Sequence, residues 1–140
     1  NRQNFVGYMA MRPGVEKRGS HGLFNEKNEP IILNQAANEI AEHKGNVWSH
    51  VVSLRREDAV RLGYDNSDAW RELVKRHISD IAKAQNIPLC NLKWYAAYHD
   101  TTHHPHIHLL VYSTNPKQGF LTKAGIDKIR SIMSPLSRHK

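Results

Sequence analysis

Two β-rich segments constrain this fold more than anything else in the chain. Residues 92–99 (Leu-Lys-Trp-Tyr-Ala-Ala-Tyr-His) and 105–113 (Pro-His-Ile-His-Leu-Leu-Val-Tyr-Ser) are joined only by the polar stretch 100–104. Strands connected so closely pair as an antiparallel hairpin. Strand side chains alternate between faces. On the second segment Ile107, Leu109 and Val111 share one face, which reads as the core face. His106 and His108 share the other. On the first segment His99 lies with Tyr95 and Ala97, and it is the last residue before the connection. The hairpin therefore brings His99 beside His106 and His108. Neutral imidazoles from these three residues would make a metal site with open positions, as a catalytic metal requires; a structural zinc site is closed by a fourth ligand. A His-x-His pair on a strand is otherwise just a polar solvent face. The apolar opposite face and the third histidine at the turn favour ligation. His103 and His104 sit in the connection, where contact with solvent or substrate is the simpler role. Asp100, Thr102 and His103 are candidates to support a ligand histidine from behind.

Helical patterns surround the hairpin. Residues 2–11 read as a helix ended by Arg12-Pro13-Gly14. Residues 13–33 are loop-like, and Asn34 is placed to cap a helix over 35–44 that Gly45 stops. Residues 46–54 read as a strand, and 55–62 as a short helix stopped by Gly63. The strongest periodicity spans about 67–86, with Ala69, Trp70, Leu73, Val74, His77, Ile78, Ile81 and Ala82 at helical spacing. Thr122 caps a last helix over about 123–133. This order predicts an α+β fold: a mostly antiparallel sheet, the histidine hairpin at its centre, helices packed on the sheet.

The 140 residues argue for a single domain, 1–140. Lysine and arginine outnumber aspartate and glutamate by 20 to 13, a net charge of +7, which points to a polyanionic partner. Arg12, Lys17, Arg18, Arg55 and Arg56 are the candidate phosphate contacts, although any single one is more simply a solvated surface charge. One cysteine, Cys90, excludes a disulfide framework and a cysteine-based zinc site, and suits a reducing, intracellular compartment. It reads as inert packing. No apolar run approaches a membrane span and no signal peptide opens the chain. The chain also opens without methionine, so its first residues read as removed. Trp48, Trp70 and Trp94 could stack on bases, but core positions are the simpler reading for all three.

A metal beside a polyanion suggests phosphoryl transfer, which needs an in-line nucleophile and neutralised phosphate oxygens. A free tyrosine, with a pKa of about 10, needs help to attack. Tyr8, Tyr64, Tyr95, Tyr98 and Tyr112 compete for the role. Tyr98 is on the core face, Tyr64 is in a turn, and Tyr95 and Tyr112 share the ligand face but pack more simply under a helix. Tyr8, on a short helix before a basic segment, ranks first among equals; its competing role is packing with Phe5 and Met9.

The run His99-Asp-Thr-Thr-His-His-Pro-His106-Ile-His108 resembles the third motif of relaxases, in the histidine-hydrophobic-histidine nuclease superfamily. The segment Phe5-Val-Gly-Tyr8-Met-Ala-Met-Arg-Pro-Gly-Val-Glu-Lys17 is similar to the tyrosine motif of MobP and MobL-type mobilisation relaxases. Ser20-His21-Gly22-Leu23-Phe24 and Trp48-Ser-His-Val-Val-Ser-Leu-Arg-Arg-Glu57 resemble further segments of MobL-type members. The resemblance implies a bacterial, cytoplasmic DNA strand transferase that nicks one strand of plasmid or integrative-element DNA at an origin of transfer. Tyr8 would attack the scissile phosphate and stay linked to the 5′ end, leaving a free 3′-OH that can reverse the step. His21 is the runner-up nucleophile and a candidate DNA contact. His99, His106 and His108 would hold one divalent metal ion: Mn2+ or Mg2+ in function, with Zn2+, Ni2+ or Co2+ also suited to such a site. Single-stranded or locally melted origin DNA, accessory mobilisation proteins and coupling proteins are the implied partners. A strand before the tyrosine helix and a longer C-terminal continuation are also implied, so the chain reads as a trimmed relaxase domain.

The competing readings are a rolling-circle replication initiator or single-tyrosine transposase of the same superfamily, a metal-stabilised DNA-binding module that does not cleave, and an unrelated three-histidine metallohydrolase acting on a small molecule.

Overall fold

The computed structural model describes residues 1–101 and 103–138. Its helices are α1 (Arg2–Met11), α2 (Leu33–Glu42), α3 (Arg56–Leu62), α4 (Ser67–Arg76), α5 (Ile78–Ala84) and α6 (Lys123–Met133). Its strands are β1 (Val47–Ser53), β2 (Leu92–His99) and β3 (His106–Ser113). They form one antiparallel sheet in the order β1-β3-β2. The fold is α+β, with the histidine hairpin β2–β3 and β3 as the central strand. The outer edge of β2 is extended by isolated bridges from Val15 to His99 and from Phe24 to Ala96. The loop 13–33 thus covers that edge.

Both sheet faces carry a core, whereas the sequence names a core only on the face of Ile107, Leu109 and Val111 and expects Tyr95 and Tyr112 alone to pack under a helix on the other. The first core joins Trp94, Ala96, Tyr98, Ile107, Leu109 and Val111 to Trp70, Leu73 and Val74 of α4 and to Ile129, Ile132 and Met133 of α6. Trp70, Leu73 and Val74 are fully buried, each contributing on the order of 1.5–3 kcal/mol by area. The second core sets Tyr95, Ala97, Leu110 and Tyr112 against Val6, Met9 and Ala10 of α1 and Ala36, Ala37 and Ile40 of α2. The near-continuous apolar run through Leu109-Leu110-Val111-Tyr112 is the signature of a strand buried on both sides.

The predicted helix over 67–86 is broken at His77. Asn66 caps α4 by accepting from the Ala69 N–H at 2.8 Å. The His77 N–H is shared between the Leu73 and Val74 carbonyls, and its backbone turns to φ −111°, ψ 17° before α5 resumes. α4 packs on β2 while α5 packs on α6, two directions that one straight helix cannot serve. α2 starts at Leu33, ahead of the expected Asn34 cap, with no side-chain capping bond. Packing of Leu33 against the second core sets its start instead.

Candidate metal centre and the tyrosine helix

His99 pairs with His106 across the hairpin, and Ala97 with His108. Alternation puts all three imidazoles on the α1 side of the sheet. Their ring centroids lie 4.9 Å (His99–His106), 4.8 Å (His99–His108) and 5.2 Å (His106–His108) apart. One nitrogen from each falls within 4.8 Å of the others, a set that could hold a metal ion. His99 is fully buried; His106 and His108 are half-buried.

Backbone carbonyls decide which nitrogens face inward. His99 Nε2–H donates to the Met9 carbonyl at 2.8 Å, leaving Nδ1 bare. His106 Nδ1–H donates to the His104 carbonyl at 3.1 Å, leaving Nε2 bare. Those two bare nitrogens face each other at 3.1 Å. Two lone pairs so placed repel unless a cation lies between them. Nitrogens about 2.1 Å from one metal, at tetrahedral to octahedral angles, are about 3.0–3.4 Å apart. His108 Nδ1 is buried and has no hydrogen-bond partner among the described residues. The donor set therefore fits a metal. Burial, then the neighbouring histidines and Arg12, push His108 down to about 4. Burial also pushes His99 down to about 4, against its bond to the Met9 carbonyl. Both imidazoles are therefore neutral at physiological pH, the form that metal ligation requires.

α1 lies over this cluster. Its Met9 carbonyl holds His99, and the Phe5 ring meets His108 edge-on at 6.5 Å. Arg2 donates to the His43 and Gly45 carbonyls at 2.6 and 2.7 Å, tying the start of α1 to the end of α2. Val6, Met9 and Ala10 are buried beneath. Phe5, Tyr8 and Arg12 recur at i, i+3 and i+7 and so line an adjacent, more exposed flank. Tyr8 is 59% exposed, not packed with Phe5 and Met9, and the Arg12 guanidinium lies 5.1 Å from its ring centroid. The helix ends where Arg12 turns extended before Pro13. The other tyrosines are less available. Tyr95, Tyr98 and Tyr112 are buried, and burial pushes Tyr98 up to about 12. Tyr64 packs on Trp70.

Several expected site residues serve the scaffold. His21 is buried: Nδ1 accepts the Leu23 N–H at 3.0 Å and Nε2–H donates to the Ile31 carbonyl at 2.7 Å, so neither nitrogen is free to attack or to touch DNA. Asp100 does not orient a histidine; it pairs with Arg56 at 2.6 Å, and Arg56 also donates to the Thr101 carbonyl. Arg56 thus braces the hairpin turn. His103 is exposed, and its carbonyl accepts the Arg56 N–H at 3.2 Å. Arg18 bonds Asp68 and Ser67 at the start of α4. Arg55 is exposed, with Glu57 at 3.8 Å and Asp58 at 3.4 Å. Lys17 is exposed. Thr102 lies outside the described residues. The supports actually present, the carbonyls of Met9 and His104, belong to the backbone and leave no residue-type signal.

Trp70 and Trp94 are core, as expected, but Trp48 is half-buried and donates its indole N–H to the Gly119 carbonyl at 2.6 Å. Cys90 is exposed rather than packed, because it falls in the 3-10 turn Leu89–Asn91 outside both cores. No helix among the described residues is long and apolar enough to cross a membrane.

Among known protein families, residues 9–140 match the model of the MobL relaxases, a span that starts one residue after Tyr8. No curated protein and no solved structure matches the chain.

Proposed function

The chain belongs to the MobL relaxase family, and on that footing we propose that it nicks one strand of origin-of-transfer DNA with Tyr8 as nucleophile. His99, His106 and His108 would hold one divalent metal ion, with manganese or magnesium as the working ion. One observation carries this reading. The helix that exposes Tyr8 also supplies, through Met9, the carbonyl that orients His99. Candidate nucleophile and ligand set are therefore coupled through one rigid element.

The metal, when bound, supplies Lewis-acid stabilisation of the phosphate and helps orient it. The chain's own residues do the rest. The carbonyls of Met9 and His104 keep two imidazoles in the ligand tautomer. Arg12 places a positive charge against the Tyr8 ring, where it would meet an oxygen of a phosphate brought to that tyrosine. The Tyr8 oxygen attacks phosphorus, the bond to O3′ breaks, and the phenol's proton ends on that oxygen. The products are a 5′-phosphotyrosine and a free 3′-OH. One phosphodiester replaces another, so the 3′-OH can reverse the step without ATP. Accessory mobilisation and coupling proteins are its proposed partners.

A divalent-metal titration of oligonucleotide nicking tests this. Nicking should rise with bound Mn2+ to one ion per chain. His108→Ala should weaken metal binding by more than the roughly 10–100-fold that loss of an outer support costs, and abolish nicking. Undiminished nicking in EDTA would contradict the metal's role. Binding with no nicking at any metal concentration would favour a non-cleaving DNA-binding module.

A further inference from the structure

The connection between β2 and β3 is pinned at both ends by backbone. The Asp100 N–H donates to the Gly14 carbonyl at 2.7 Å, the Arg56 N–H to the His103 carbonyl at 3.2 Å, and the Leu54 N–H to the Pro105 carbonyl at 3.0 Å. The Arg56 guanidinium adds bonds to Asp100 Oδ1 at 2.6 Å and to the Thr101 carbonyl. The His104 carbonyl is held differently. Its partners among the described residues are two side chains: it accepts the Thr101 hydroxyl at 2.8 Å and His106 Nδ1–H at 3.1 Å. Thr101 is itself fixed on its other side. A Cβ added to Gly14 would lie 3.5 Å from Thr101 Cγ2, so the methyl group packs over that glycine while the hydroxyl faces His104.

We propose that Thr101 is a positioning residue for the histidine cluster: its hydroxyl holds the His104 carbonyl in place, and the held carbonyl keeps the proton of His106 on Nδ1. The inference rests on the proposed function, in which His106 is a metal ligand. A neutral imidazole has two tautomers. With the proton on Nδ1, Nε2 is bare and open to a metal. With the proton on Nε2, His106 would donate across the 3.1 Å to His99 Nδ1, and a hydrogen bond between two ligands would close the site. That closed form turns the Nδ1 lone pair of His106 onto the His104 carbonyl oxygen. Repulsion there disfavours it, but only while the carbonyl cannot rotate away. Thr101 supplies the restraint, and Arg56 steadies Thr101 through its own carbonyl. No proton is gained or lost, so the effect is on the tautomer and not on the charge. Outer supports of this kind fix ring orientation and tautomer in metal sites generally.

The test uses the metal-free protein, and then Mn2+ alone without DNA. Thr101→Val keeps the shape and the methyl group and removes the hydroxyl; Thr101→Ser keeps the hydroxyl. Long-range proton–nitrogen NMR of the imidazole rings at about pH 8, above the ordinary histidine range, reads which nitrogen of His106 carries the proton. Wild type and Thr101→Ser should show it on Nδ1, and Thr101→Val should move it towards Nε2. Mn2+ affinity by calorimetry should fall roughly tenfold in Thr101→Val, the lower end for loss of an outer support, and return in Thr101→Ser. A merely structural threonine would lower the thermal midpoint and leave the tautomer alone. A His106 proton that stays on Nδ1 in Thr101→Val, or already sits on Nε2 in wild type, overturns the proposal. So does a tautomer that moves with no change in Mn2+ affinity. If wild type binds no Mn2+ while the tautomer still follows Thr101, the metal reading fails and the hold on His106 stands.

Discussion

Glu39 accepts hydrogen bonds from the phenols of Tyr95 and Tyr112 and pairs with Lys93 at 2.8 Å. Burial alone would raise its carboxyl pKa, but the bonds from Lys93, Tyr112 and Tyr95 outweigh burial and hold it below the ordinary 4.5. A carboxylate favoured by folding stabilises the protein above its unfolded pKa, and that contribution fades as pH falls through the lower folded value. Glu39→Gln should therefore lower stability by about 1 kcal/mol at neutral pH, the scale of a partly exposed charged hydrogen bond. In thermal melts the gap between wild type and variant should narrow as the pH falls below the ordinary 4.5 and close once the folded carboxyl is protonated. Side chains of this kind show what single residues reveal. His99, His106 and His108 are legible because strand alternation alone places them together. His21 is misread because its sequence position says nothing of two backbone partners, Leu23 and Ile31, that occupy its ring.

Elements are legible where periodicity, caps and breakers agree. α1, α3 and α6 begin and end within a residue of the sequence expectation; Thr122 caps α6 by accepting the Gly125 N–H at 2.9 Å, and Gly63 ends α3 with φ 80°. The break at His77 was not legible, because the apolar spacing runs through it and only the position of α6 demands it. Gly125 records how close that packing is: a Cβ there would lie 2.5 Å from the Ala84 carbonyl at the end of α5. Backbone cannot yield as a flexible side chain can. Gly125→Ala should cost roughly 1–3 kcal/mol, read as a lower midpoint in urea, despite alanine's better helix propensity.

At the scale of the whole molecule, the net charge of +7 is an argument about the surface. Composition indicates a polyanion, but not where it lies. Of the basic residues proposed for it, Arg18 and Arg56 brace the fold, which leaves Arg12, Lys17 and Arg55 on the surface. Three phosphate contacts predict a slope of about −2 for log binding constant against log salt on single strands. Arg55→Ala should reduce that slope by about 0.7. A slope near zero would remove the electrostatic part of the account. The sheet's second covered face was only partly legible: Tyr95 and Tyr112 read as packing under a helix, but Leu110 sits among residues already assigned to the other core. That cover places α1 over the histidine cluster, with Tyr8 exposed on the same helix. The most direct test of this arrangement is mass mapping of the covalent product formed on single-stranded origin DNA with Mn2+. The account predicts a 5′-phosphodiester on the tryptic peptide containing Tyr8, absent in Tyr8→Phe. Adducts at wild-type yield in Tyr8→Phe, or an adduct on another residue of the wild-type protein, would contradict it.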